Sequence, residues 1–134
     1  PAQPGTLVVL DRATMAVRAK IPVGVGPRAI AVNEVTGRAY VVSQTKDAAP
    51  NRTLVTVVNT KTLATVASVE VVTAQAIADV AVNTRINRVY LSNTSQGIIE
   101  VLNGATNTVR APIQVGPGPG ISHVGRANPS LPTK

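Results

Sequence analysis

IPVGVGPRAIAVNEVTGRAY, residues 21–40, decides how this chain is read, because its parts return further along. Two apolar runs, residues 29–32 and 39–42, flank Asn33-Glu34-Val35-Thr36-Gly37-Arg38, a segment rich in residues that tolerate chain reversal. The pattern predicts a β-hairpin. Fifty positions on, Asn83, Asn87, Arg88 and Tyr90 stand where Asn33, Gly37, Arg38 and Tyr40 stand here. Gly and Asn adopt the left-handed conformation more readily than other residues, so exchanging Gly37 for Asn87 preserves the turn. The chain is therefore a repeat protein.

Working outward, a second unit recurs. The run 6–10 ends in Asp11-Arg12-Ala13-Thr14, the run 54–58 in Asn59-Thr60-Lys61-Thr62, and the run 98–102 in Asn103-Gly104-Ala105-Thr106. In each, an Asp or Asn side chain can cap a tight turn through the backbone ahead of it. The three copies lie 48 and 44 residues apart, the spacing of propeller blades. After each turn a further strand is expected, at 16–23, 64–72 and 108–115. Gly24, Gly26 and Pro27 fall in register on Gly116, Gly118 and Pro119, and these Gly/Pro segments read as connectors between blades.

Composition agrees with stacked sheets. With Tyr40 and Tyr90 as its aromatics and 44% apolar residues, the 134-residue chain must build its interior from Val, Ala, Ile and Leu. Apolar residues alternate with Thr, Arg or Ser, as in Thr53-Leu54-Val55-Thr56-Val57-Val58, which is the period of a half-buried strand. The expected class is all-β: four-stranded antiparallel blades in an incomplete ring of about 2.5 to 3 blades. Within a repeat region of 6–124, outer strands occupy 6–23, whole blades occupy 27–72 and 76–115, and an inner strand is expected at 120–124. A tail follows at 125–134.

Val89-Tyr90-Leu91-Ser92-Asn93 resembles the Tyr-Val-Thr-Asn signature of the YVTN β-propeller repeat family, and Ala39-Tyr40-Val41-Val42-Ser43 is a looser copy. The run Ile21-Pro22-Val23-Gly24, with Gly26-Pro27-Arg28-Ala29-Ile30-Ala31-Val32-Asn33 and Thr36-Gly37-Arg38-Ala39-Tyr40-Val41, is similar to the body of that repeat. The resemblance implies radial four-stranded blades in secreted, periplasmic or cell-surface proteins, serving as binding scaffolds or as parts of extracytoplasmic oxidoreductase assemblies. It supplies no universal catalytic residue. Two whole blades cannot close a ring, so the resemblance also implies completion by another chain, by more of the same protein, or by further copies in head-to-tail contact.

Catalysis finds little support. The chain has no Cys and His123 is its one histidine, which excludes a His/Cys metal cluster within one chain. No cofactor site is expected. His123 falls where Ala31 and Ala81 fall in the inner strands, so it is a candidate axial ligand if the ring is closed by other chains. Asp11 reads as a turn cap, Glu34 and Asp47 as loop residues, and Glu70 and Glu100 as outward-facing. Gly24-Val25-Gly26 is not a phosphate cradle, because no helix follows it.

Thirteen basic against six acidic residues give a formal charge of +7, which biases the surface toward anionic partners. The basic residues are scattered, without a clustered run or interleaved aromatics, and strand edges protected from pairing are their expected use. Arg28, Lys46 and Arg52 are expected to gather on one face, since connectors and second-to-third-strand loops share a side of a propeller. Asn51-Arg52-Thr53 and Asn93-Thr94-Ser95 match the glycosylation acceptor pattern. No apolar run reaches membrane-spanning length.

The reading is a non-catalytic, extracytoplasmic propeller unit that binds protein partners or further copies of itself. An oxidoreductase assembly with its cofactor elsewhere, or a propeller that binds single-stranded nucleic acid, are the alternatives.

Overall fold

The computed structural model describes residues 3–45, 52–71 and 77–116, all in strands and turns. β1 (Pro4–Leu10), β2 (Val17–Asn33), β3 (Arg38–Gln44), β4 (Thr53–Asn59) and β5 (Thr65–Val71) form one antiparallel sheet in that order. β6 (Ile77–Asn83), β7 (Arg88–Asn93) and β8 (Ile98–Asn103) form a second, on whose outer side β8 pairs with β9 (Thr108–Val109) and β10 (Ile113–Gln114).

Alternation along the strands converts these sheets into three stacked wedges. The first is β1 with the leading half of β2. The second is the trailing half of β2 with β3, β4 and β5, and the third is β6 to β10. Tyr40, Val42, Val55, Val57 and Val71 face one way from the second wedge and share a buried core with Ile77, Val80, Val89, Leu91 and Leu102 of the third. On the other side Ala39 and Val58 pack with Ile21, Leu7, Val9 and Ala19 of the first. A one-residue change of register would turn either set outward, so the wedge order is fixed by the period-2 pattern itself.

One turn design recurs at six reversals. An Asp or Asn opens each, at 11, 33, 59, 83, 93 and 103, and its side-chain oxygen accepts backbone N–H groups two or three residues on, as Asn33 does from Val35 at 3.0 Å and Thr36 at 3.2 Å. The residue four positions after each is left-handed: Met15, Gly37, Leu63, Asn87, Gly97 and Asn107. The expected Gly37/Asn87 pair therefore has φ of 67° and 53°. Met15 and Leu63, both at 60°, take that conformation without being turn formers.

The Gly/Pro connector at 24–28 is itself extended, as part of β2, which pairs β1 through residues 17–25 and β3 through 25–33. A bulge between Val25 and Ala29, with Gly26 at φ +58°, turns the strand without ending it. Gly24 must lack a side chain, since a Cβ there would collide with the Gln44 carbonyl and Ser43 Oγ. The strand expected at 108–115 is split into β9 and β10, because Pro112 has no N–H at the position where Lys20 pairs with Val8 in the first wedge. Glu100 is buried rather than outward-facing, since its register beside Leu102 turns it toward the second wedge.

Candidate functional site

The repeat supplies its own control for finding open surface. Leu10, Val58 and Leu102 each stand one residue before a capping Asp or Asn, and they differ only in what lies across from them. Val58 is 2% exposed and Leu102 fully buried, whereas Leu10, on the leading face of the first wedge, is 44% exposed. Ile30 and Val80 both stand three residues before the hairpin Asn; Val80 is 6% exposed beneath the second wedge and Ile30 is 51%. Val8 and Val32 are open in the same way. At the other end, Ile113 is 49% exposed where its counterpart Ile21 is 5%, and Val115 is open where Val23 and Val71 are buried.

These residues outline two apolar faces, one leading and one trailing, each congruent with a face the molecule already buries within itself. A cleft of about 340 Å³ marks the trailing face, lined by Ile86, Arg88, Tyr90, Val101, Arg110, Ala111 and Ile113. A slot of about 210 Å³ marks the leading one, lined by Thr6, Leu7, Pro27, Arg28, Ala29, Ile30 and Val41. The incomplete ring expected from the sequence implies open flanks, but which residues lie on them is seen only in the structure.

The basic residues divide by role. Register brings Arg28 and Arg52 to one end of the first sheet, where Val25 pairs with Gln44 and Gln44 with Thr53. Arg28 lines the leading slot. Arg52 is held by Glu70 across 3.3 Å, which offsets its charge. Lys46 and His123 lie outside the described residues. Arg38 Nη1 donates to the carbonyls of Thr36 and Gly37, and Arg88 Nη1 to those of Ile86 and Asn87, at 3.2–3.4 Å, so both clamp their own hairpins. Basic residues do not guard the sheet edge as expected: β1, an edge strand, reads Pro-Gly-Thr-Leu-Val-Val-Leu and carries no charge.

The carboxylates are similarly engaged. Asp11 accepts from Ala13 and Thr14 N–H, both at 2.9 Å, and these backbone bonds, that from Thr14 first, hold its carboxyl below the usual Asp range. Asp79 accepts from the Val80 N–H at 2.8 Å. Among the described residues no group of three or more His, Cys, Asp or Glu side chains could hold a metal ion, and no helix is long and apolar enough to cross a membrane. Asn93 is buried and its Nδ2 donates to Gln96 Oε1 at 2.6 Å, which removes it as a sugar acceptor in the folded chain. Asn51 lies outside the described residues.

No family model matches the chain, and no curated protein sequence does. Among solved structures it is similar to the hydrazine synthase of Kuenenia stuttgartiensis, with a TM-score of 0.69 and 18% identity, over 85% of this chain and 31% of that one. It is also similar to apo AztD from Citrobacter koseri, with a TM-score of 0.67 and 20% identity, over 87% of this chain and 31% of that one. The wedges are β-propeller blades. The chain spans about a third of the length of either protein, and the likeness carries the fold alone. Each open face is thus the side of a blade, with an apolar centre and an Arg at its margin.

Proposed function

We propose that this chain is a non-catalytic scaffold segment of an extracytoplasmic YVTN-type propeller, acting by protein docking against its two open blade faces. The observation that carries this reading is that equivalent residues are buried between blades and half-exposed at both ends of the stack. Each half-exposed Val, Leu or Ile withholds about 1 kcal/mol of the transfer energy that full burial would supply. Four of them on the leading face make its covering favourable. The localisation and the YVTN assignment rest on the repeat motifs around Tyr40 and Tyr90.

The test is the mass of the particle recovered from its native host. It should exceed that of one chain, and Ile113→Asp should release a partner without changing the far-UV circular dichroism. A single chain, unaltered by that substitution, would overturn the reading. A second reading, a propeller part of an oxidoreductase assembly whose cofactor lies in another chain, takes its support from the same repeat motifs around Tyr40 and Tyr90, and a redox cofactor in the same particle would favour it.

A further inference from the structure

We infer that the outer edge of β5 is a strand-addition site for an extended segment of a partner protein, acidic at its ends and carrying one large aliphatic side chain opposite Ser68. The site stands apart from the two open blade faces. β5 is the outermost strand of a blade that already has four, so placing further blades on either side leaves this edge on the rim uncovered.

The repeat again supplies the control. Counting on from the capping Asp11, Asn59 and Asn103, Arg18, Val66 and Arg110 share one register position of the outer strand, and Lys20, Ser68 and Pro112 share the next but one. The outer strands of the first and third blades thus carry Arg with Lys or Pro, residues that deter pairing at an edge. The second blade has neither guard. β5 reads Thr-Val-Ala-Ser-Val-Glu-Val, runs unbroken for seven residues and has no strand on its outer side among the described residues. Its one charge, Glu70, is matched by Arg52 at 3.3 Å. Val66, standing where the other blades place Arg, is 45% exposed. An edge of this kind is a template for another strand.

The slot beside this edge supplies specificity. A cavity of about 290 Å³ between the first and second blades is lined by Pro22, Val23, Leu54, Thr56 and Ser68, with three further residues at its end. Register sets Thr56 against Ser68, so the slot crosses β4 and β5 at the middle of the edge strand, with Ser68 its outermost residue from the second blade. Ser68 is small and leaves the mouth open, where Lys or Pro would narrow it. An added strand sets its side chains beside those of β5 on the same face, so the residue opposite Ser68 reaches an apolar slot with room for Leu or Ile. Acidic ends suit a chain whose formal charge is +7. A second copy pairing through its own β5 fits less well. About a two-fold axis it sets Ser68 against Ser68, brings no aliphatic side chain to the slot and adds like charge to like.

The probe is the synthetic peptide Asp-Thr-Val-Thr-Leu-Thr-Val-Thr-Asp, titrated into the whole chain while backbone amide exchange is followed by NMR. Saturable one-to-one binding at or below about 100 μM is expected, with exchange slowed most in β5. Replacing the peptide's Leu by Ser, or giving the chain the first blade's guards through Val66→Arg with Ser68→Lys, should weaken binding at least tenfold. Both side chains are exposed and the first blade carries those same residues, so the fold is kept, as the amide spectrum should verify; Ser68→Lys alone should act in the same direction. No binding at about 100 μM, exchange slowed at the open blade faces instead of β5, or binding indifferent to Ser68→Lys would overturn the inference. So would self-association of the chain that Ser68→Lys abolishes, since the occupant would then be a second copy. Ile113→Asp, which tests the scaffold reading, should leave peptide binding unchanged, so either proposal can fail while the other stands.

Discussion

Tyr40 is fully buried between the second and third blades, and its hydroxyl meets no hydrogen-bond partner among the described residues. An unsatisfied buried hydroxyl costs about 1–3 kcal/mol, so Tyr40→Phe, which keeps the ring and removes the oxygen, should raise stability in urea by about 1 kcal/mol. Tyr40→Ala should lower it by about 3–5 kcal/mol. Burial, opposed by the nearby Arg38 charge, pushes the phenol's pKa above its usual value. The unfolded chain then ionises first, so this residue's contribution is present at neutral pH and is lost as pH climbs past the ordinary Tyr value toward the folded one. Tyr40→Phe should flatten that alkaline limb. Asp11 has the opposite sign: its depressed carboxyl supports the turn above the ordinary Asp range and ceases to do so as pH falls through the folded value. Asp11→Asn, the residue found at 59 and 103, should keep the melting temperature at pH 7 and remove the acid-side decline.

At the scale of the element, the six Asx turns show what was legible in the chain and what was not. Asn33 with Gly37 and Asn83 with Asn87 announce themselves, because both ends of the reversal are turn residues. Met15 and Leu63 do not, and the signal for them is the Asp or Asn four positions earlier. A side chain at φ near +60° costs about 1–2 kcal/mol where the residue is neither Gly nor Asn. Met15 is exposed and has little packing to lose, so Met15→Asn should stabilise the chain by about 0.5–1 kcal/mol in thermal or chemical unfolding. Leu63 packs against the core between the first two blades, and the same exchange there should bring no gain. The connector at 24–28 is legible as a joint between blades, but its strand conformation is not, for a related reason. Gly and Pro mark a change of direction, but a bulge satisfies them as well as a loop does, and only pairing to β1 and β3 distinguishes the two.

At the scale of the whole molecule, blade number and strand alternation could be read from the repeat, because they depend on local period. That the flanks are open follows from the incomplete ring, but which residues are exposed on them does not, since exposure depends on what stands next to a blade rather than on the blade's own residues. Leu10 and Leu102 make the difference measurable. Leu102→Ala should cost about 2–5 kcal/mol in the chain alone, and Leu10→Ala at the equivalent site less than about 1 kcal/mol. Adding the partner that covers the leading face should bring the second value toward the first.

β2 belongs to two blades at once, held by β1 along its first half and by β3 along its second. A repeat array pulled from its ends commonly yields unit by unit, like beads torn from a string. Here the first unit cannot be stripped away without tugging the innermost strand from its neighbour. Drawn apart in an optical trap, these two should rupture together in a single force peak, with the third giving a peak of its own.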